Sequence, residues 1–277
     1  KAIKHQITSP ESAFAFLDSL EYISQYYTAF DNPDDEIWDK EEKIHLRVLN
    51  LLNVTTCYSL MMAAINHLER KELKTLLREL AVISFRYNVS NKNPNEAERV
   101  FSRVANDISN ASITTARDAI MALKPLYESD KNFEQAFSTV VINTKRKKDL
   151  VKYILIKIEN QIANKDYQPE DASATIEHIL PENPGSIWDD LFPVDIQEDY
   201  IYRLGNYGLL EASVNKKLDS NKSFSEKLKV YKNSAYKLCN EYCNYDKFDP
   251  KTIALRQDRM AKIAKSIWKS AYLQSMI

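Results

Sequence analysis

Apolar residues recur with a helical period along most of the chain. Ser9-Pro10 has the pattern of an N-cap followed by proline at the first helical position, and it predicts a helix to about Phe30. Asn93-Pro94 repeats this start signal. The apolar face that follows it consists of Val100, Phe101, Val104, Ala105 and Ile108. Seven or eight helices are expected before residue 168.

Helical signals return near the end of the chain. Ser223 and Glu226 form a capping-box pattern that predicts a helix to about Tyr242. Asp249-Pro250 predicts the start of a last helix. Its buried stripe is expected at Ile253, Met260, Ile263 and Ile267.

The few glycines mark one interruption between these helical regions. The chain has 3 glycines, where average usage of roughly 7% would give about nineteen. They are Gly185, Gly205 and Gly208, and a group of prolines lies beside them. This distribution predicts a mostly α protein of the α+β class, with a helical bundle-like domain over residues 1–168 and a second domain over residues 169–277.

Composition excludes several classes of protein. Of the 277 residues, 44% are hydrophobic, and 38 basic residues nearly balance 39 acidic ones, which is ordinary globular composition and not that of a disordered chain. The longest apolar run, Tyr58 to Ile65, is shorter than the ~18 residues of a membrane span. We expect a cytoplasmic protein with no membrane partner. The chain starts at Lys1, so an upstream part is expected to be missing.

Two short segments around the glycines carry candidate chemistry. Residues 174–181 read ATIEHILP and contain Glu177 and His178, and residues 203–210 read RLGNYGLL and contain Asn206. Asn215 follows at what is predicted to be a helix start. A lone histidine between isoleucines is more often a core residue than a catalytic one. In a regular strand Glu177 and His178 would also face opposite sides, so a bulge or a strand end is required.

The order of these residues resembles that of the HNH (ββα-metal) endonucleases, in particular the C-terminal nuclease domain of GmrSD-type modification-dependent restriction enzymes. Tyr207-Gly208 departs from the usual Leu-Thr after the motif asparagine. The elements that carry the resemblance are the IEHILP segment at 176–181, Trp188, Leu204-Gly205-Asn206, Leu209-Leu210, Asn215, Asn221-Lys222-Ser223-Phe224, Lys227, Tyr231 and Ser234. The helical first half is similar to the connector that follows an N-terminal ParB-like nucleotide-hydrolysing domain in these proteins.

The resemblance implies a ββα-metal core that hydrolyses DNA with one Mg²⁺ or Mn²⁺ ion. His178 would be the general base that activates water. Glu177 and Asn215 would supply oxygen ligands to the metal. Asn206 would bond the hairpin backbone and hold the histidine in its reactive orientation. The implied setting is a bacterial restriction or anti-phage defence protein acting on modified or phosphorothioated double-stranded DNA.

Local charge supports a DNA partner. From Arg203 to Lys237 there are eight basic and three acidic residues, a net charge of +5 in a nearly neutral chain. A basic helix beside the motif would lie along the phosphate backbone. The expected DNA contacts are Arg203, Lys216, Lys217, Asn221, Lys222 and Lys227. Two alternatives remain open: a catalytically silent DNA-binding or interaction module that keeps the HNH scaffold, and an RNA-directed nuclease.

Overall fold

The computed structural model describes residues 8–273, which divide by their packing into two compact units. Residues 8–88, 92–127 and 270–273 form the first unit, and residues 89–91 and 128–269 form the second. The predicted domain boundary at residue 168 falls inside the second unit. As a boundary between independently folding domains it stays a prediction.

The first unit is helical. Its helices are α1 (Pro10–Asp31), α2 (Lys40–Leu51), α3 (Tyr58–His67), α4 (Arg70–Val89), α5 (Pro94–Ser109) and α6 (Ala116–Ala122). Capping side chains define the starts: the Ser9 hydroxyl accepts from Ser12 N–H, and Asn93 caps α5. The predicted face of α5 is buried against α3. Residues 31–42 are rich in acidic side chains and include the loop between α1 and α2, where Asp34 pairs with Arg47 and Asp39 with Lys74.

The second unit contains a small sheet embedded in helices. Its elements are α7 (Asp130–Phe137), α8 (Thr144–Ala163), β1 (Ala174–His178), α9 (Gln197–Ile201), β2 (Tyr207–Glu211), α10 (Ala212–Asn215), α11 (Phe224–Tyr231), α12 (Lys237–Asn240) and α13 (Pro250–Ile267). The two strands are antiparallel. Trp188, Phe192, Tyr242 and Phe248 form the aromatic part of a buried core beside the sheet. The mostly α prediction with a small β component is confirmed, and eight α-helices precede residue 168 among the described residues.

One predicted helix is wrong in length. The capping box of Ser223 and Glu226 is present, but α11 ends at Tyr231 instead of continuing to about Tyr242. The Asn240 amide donates to the Tyr231 carbonyl at 2.7 Å. The Glu159 carboxylate accepts from the backbone N–H groups of Lys237 and Leu238 at 2.8 Å each. These tertiary bonds satisfy backbone groups that a continuous helix would pair internally.

Within residues 8–273, no helix combines the length and the apolar character needed to cross a bilayer.

Candidate active site

The end of β1 brings Glu177 and His178 to one cavity. His178 is the last residue of β1 and pairs with Tyr207, and Glu177 pairs with Gly208. Both side chains line an open cavity of about 600 Å³. Alternation along a regular strand applies only where the strand continues, so a position at its end lets neighbouring residues reach the same cavity.

Asn206 ties together the backbone on either side of the long connection between the strands. Its side-chain oxygen accepts from Leu180 N–H at 2.8 Å, and its amide donates to the carbonyls of Leu180 and Ile201 at 2.9 and 2.8 Å. The side chain is fully buried. It bonds the backbone two residues after His178 and fixes the exit of β1.

The turn before β2 has no room for a side chain at residue 205. A Cβ on Gly205 would lie 2.2 Å from the Ile253 carbonyl oxygen of α13, far inside van der Waals contact. Buried Arg256 of the same helix donates to the Gly205 and Tyr207 carbonyls at 2.8 Å each. The last helix therefore fixes the start of β2.

Gly208, which departs from the family pattern, also lies in a tight space. A Cβ there would come within 2.8 Å of the Cys239 sulfur. Its neighbour Tyr207 is buried and presents its ring edge-on to the His178 ring, with centroids 4.8 Å apart. The departure at 207 and 208 thus gives the histidine an aromatic neighbour and brings α12 close to β2.

Glu177 lies on a charged, buried side of the site. Lys227, which is fully buried, places its ammonium 2.9 Å from Glu177 Oε1. The same ammonium donates to the His178 and Ile179 carbonyls at 2.8 and 3.0 Å. Tyr231 donates its hydroxyl hydrogen to Glu177 Oε1 at 2.7 Å. Burial, followed by the Glu177 charge, raises the pKa of Tyr231 well above its ordinary value, so its phenol stays a donor.

His178 lies on a neutral side of the site. Its Nε2 is 3.1 Å from the Thr144 hydroxyl, which also donates to Glu182 Oε1 at 3.1 Å. Burial lowers the pKa of His178 to about 4; the Glu182 charge opposes this effect, and the Lys227 charge adds to it. The imidazole is therefore neutral at physiological pH, the protonation state that a general base needs.

Two oxygen atoms at the cavity are suited to a hard divalent cation. Both hydrogens of the Asn215 amide are used, in bonds to Thr175 Oγ1 at 3.0 Å and the Ile176 carbonyl at 3.1 Å. This leaves Oδ1 as the available atom of Asn215. Since Lys227 and Tyr231 both bind Glu177 Oε1, Oε2 is the carboxylate oxygen left for a ligand. Among residues 8–273 no cluster of three or more His, Cys, Asp or Glu side chains could hold a metal, so an ion here would keep several waters, as Mg²⁺ does.

The predicted DNA contacts fall into two groups. Lys216, Lys217 and Lys222 are exposed, and Asn221 lines the cavity while accepting from Gly185 N–H at 3.0 Å. Lys227 and Arg203 point into the protein. Lys227 is buried as described, and Arg203 donates to Gln257 Oε1 at 2.7 Å and to the Ser138 carbonyl at 2.9 Å. Lys227 is therefore not placed to meet a phosphate, whereas Arg203 is half-buried and its DNA contact stays a prediction.

Three residues of one helix line the cavity although the sequence did not predict them as site residues. Thr144, Lys145 and Lys148 line the cavity from the start of α8, a helix that the sequence assigned to the connector. Residues 145–148 read KRKK, but they lie some thirty positions before His178 in the sequence, and no motif joins the two segments. Backbone pairing within the second unit brings the start of α8 to the cavity: Ile142 N–H donates to the Tyr202 carbonyl at 3.0 Å.

Comparison with known proteins identifies a relationship over the second unit. Residues 127–263, slightly less than half of the chain, match the family model described as GmrSD restriction endonucleases, C-terminal domain. No curated protein matches the chain. The match indicates a nuclease of a restriction system, a class whose substrate is DNA.

Proposed function

We propose that the chain is a metal-dependent HNH endonuclease that hydrolyses DNA; the match of residues 127–263 to the GmrSD restriction endonuclease C-terminal domain supports this. The observation that carries this proposal is the meeting of a neutral imidazole, an available carboxylate oxygen and an available amide oxygen at one open cavity. On the resemblance, its setting is bacterial defence against modified or phosphorothioated DNA, sensed by a ParB-like domain.

In this proposal His178 accepts a proton from a water molecule as the water oxygen attacks the scissile phosphorus. The bond between phosphorus and the 3′-oxygen breaks, and the departing oxygen takes up a proton from solvent water, so that a 5′-phosphate and a 3′-hydroxyl remain. Glu177 Oε2 and Asn215 Oδ1 would hold Mg²⁺ or Mn²⁺, which when bound stabilises negative charge on the phosphate and the departing oxygen. Asn206 maintains the backbone geometry that presents His178.

Plasmid cleavage by the full chain tests the catalytic assignment. With Mg²⁺ or Mn²⁺ we expect cleavage that stops in EDTA, and His178→Ala is expected to lose about 100-fold or more, since general bases contribute ~10²–10⁴. His67→Ala is the matched control, because His67 is exposed in the first unit. Asn215→Ala should lose both cleavage and Mn²⁺ binding.

Two outcomes would favour the alternative functions. Wild-type protein that binds DNA and Mn²⁺ but never cuts would indicate the silent module. Preferential cleavage of RNA in competition would indicate the RNA-directed nuclease.

The proposed DNA surface combines exposed cations from two parts of the second unit. Lys216, Lys217 and Lys222 follow the proposed metal ligand Asn215, and Lys145 and Lys148 line the cavity from α8. Lys227 is left out of this surface, because it is buried and its ammonium bonds Glu177 and two backbone carbonyls.

Salt dependence of DNA affinity tests this surface. Each lost phosphate contact lowers the slope of log affinity against log salt by about 1. Lys148→Gln and Lys216→Gln should each do so, whereas Lys131→Gln, an exposed lysine of α7 at a different cavity, should leave the slope unchanged. Equal slopes for all three variants would contradict the surface.

A further inference from the structure

The Thr144 hydroxyl lies between His178 and Glu182, at 3.1 Å from His178 Nε2 and 3.1 Å from Glu182 Oε1. We propose that Thr144 and Glu182 are positioning residues that fix the tautomer of His178, placing the ring proton on Nε2 and leaving Nδ1 as the basic nitrogen. This inference rests on the proposed nuclease function, which it deepens by naming the two residues that orient the base.

Counting hydrogens leads to this assignment. A carboxylate oxygen at neutral pH can only accept, so the single hydroxyl hydrogen of Thr144 goes to Glu182 Oε1. The Thr144 oxygen then turns a lone pair towards His178 Nε2, and a hydrogen bond at that distance requires Nε2 to carry the hydrogen. A neutral imidazole has one N–H, and Nδ1 therefore holds the lone pair.

Thr144 is held in place by the nuclease unit itself. It is buried at the first turn of α8. The segment before it is fixed by Gln257, which donates to the Val140 carbonyl at 2.9 Å, and by the Tyr207 hydroxyl, which donates to the Ile142 carbonyl at 2.9 Å. Donors from α13 and β2 thus fix the backbone that leads to Thr144. The hydroxyl is part of a rigid frame around the histidine.

The frame also limits the orientation of the imidazole ring. Tyr207 lies against the ring at an interplanar angle of 80°, and Glu182 Oε1 lies 3.6 Å from Nε2. A ring flip would turn a carbon towards the Thr144 oxygen and lose the hydrogen bond. Ring orientation and tautomer are therefore determined by the same pair of residues, Thr144 and Glu182.

Thr144→Val removes the hydroxyl while keeping the shape of the side chain, and Thr144→Ser keeps the hydroxyl. With the full chain and Mg²⁺ we expect Thr144→Val to lower kcat for plasmid cleavage about 10- to 100-fold, as for other partners of site residues, with KM nearly unchanged. Thr144→Ser should recover most of the loss. Thr139→Val is the matched control, because Thr139 is exposed and bonds only within its own turn.

Nitrogen-15 NMR of the metal-free protein reads the tautomer directly. The chain has 4 histidines, so His178→Gln assigns the ring signals. We expect the proton on Nε2 in wild type and a mixture of tautomers in Thr144→Val. Glu182→Ala frees the Thr144 hydrogen to donate to Nε2 and should move the proton to Nδ1. This variant keeps the test informative if Thr144→Val does not fold.

The outcomes separate this inference from the proposed function. If wild type cleaves DNA, and both Thr144→Val and Glu182→Ala keep its kcat and its tautomer, the positioning role is overturned while the nuclease stands. If wild type never cleaves, the nuclease proposal fails, and the NMR signals still report whether Thr144 sets the tautomer. A proton found on Nδ1 in wild type would also overturn the inference.

Discussion

Glu177 and His178 are neighbours in the chain but are held in opposite electrostatic surroundings. Glu177 is buried against the ammonium of Lys227 and the hydroxyl of Tyr231. His178 is surrounded by the Thr144 hydroxyl, the Tyr207 ring and, 3.6 Å from its Nε2, the Glu182 carboxylate, and burial lowers its pKa to about 4. One side of the strand end pairs a carboxylate with a buried ammonium, and the other keeps an imidazole neutral.

This difference matches the two roles proposed for the pair. A metal ligand must stay an anion without being neutralised by a proton, and a general base must be unprotonated at the working pH. The buried lysine gives the carboxylate a cationic partner, and burial of the imidazole serves the second requirement. Lys227 therefore acts inside the protein, although its sequence context indicated a phosphate contact.

Replacing Lys227, the buried cation beside Glu177, should cause a large loss of folding stability. Lys227→Met leaves the Glu177 carboxylate and two carbonyls without their shared donor. Breaking one partner of a buried ion pair costs about 3–5 kcal/mol, and we expect a loss of that size in the free energy of urea unfolding. Lys229→Met, an exposed lysine of the same helix, is the control and should change it by less than about 0.5 kcal/mol.

A second substitution separates charge from packing. In the Lys227→Met background, Glu177→Gln removes the unpaired negative charge and should recover part of the lost stability. If Lys227→Met were as stable as Lys229→Met, the buried ion pair would not be what holds Glu177.

The lowered pKa of His178 should make the stability of the metal-free protein depend on pH. As pH falls below about 6.5, the unfolded chain protonates His178, whereas the folded protein resists protonation until about pH 4. Between these two pH values the unfolded state binds more protons than the folded state, so the stability that His178 contributes is lost as the pH falls. Above about pH 6.5 this contribution is fully present. The shift corresponds to roughly 3 kcal/mol at most.

Urea unfolding in EDTA from pH 4 to 7 measures this loss. His178→Gln cannot take up the proton, so its stability should fall less over this range than that of wild type. Parallel curves for the two proteins would show that His178 is not held neutral. His67→Gln should follow wild type, because His67 is exposed.

Local signals in the sequence were sufficient for the fold class and for part of the candidate site. The caps at Ser9 and Asn93 begin helices where expected, because these side chains bind the first free N–H groups of a helix. The ordered motif residues around Asn206 meet at one strand end. The features that the sequence could predict depend on neighbouring residues, as helix caps do, or belong to a motif with many ordered residues.

The remaining features depend on contacts between distant segments. A lysine in a basic helix is expected on the surface, and only the packing of α11 against β1 shows that Lys227 is buried. Thr144 is 34 positions from His178, and no spacing rule joins them. Helix α11 is shorter than predicted because Asn240 bonds the carbonyl of its last residue, Tyr231, and Glu159 bonds backbone N–H groups beyond its end.

Tyr231→Phe removes the neutral hydrogen-bond donor beside Glu177 and so separates its effect from that of the charged Lys227. The substitution deletes the hydrogen bond to Glu177 Oε1 while Lys227 keeps its ion pair. A hydrogen bond to a charged group contributes about 1.5–3 kcal/mol, and the remaining ammonium should limit the loss to the lower end of that range. Urea unfolding beside Tyr245→Phe, a partly exposed tyrosine of the same unit, measures it. A loss equal to that of Lys227→Met would mean that the phenol and the ammonium contribute equally, so charge would not distinguish the two sides of the strand end.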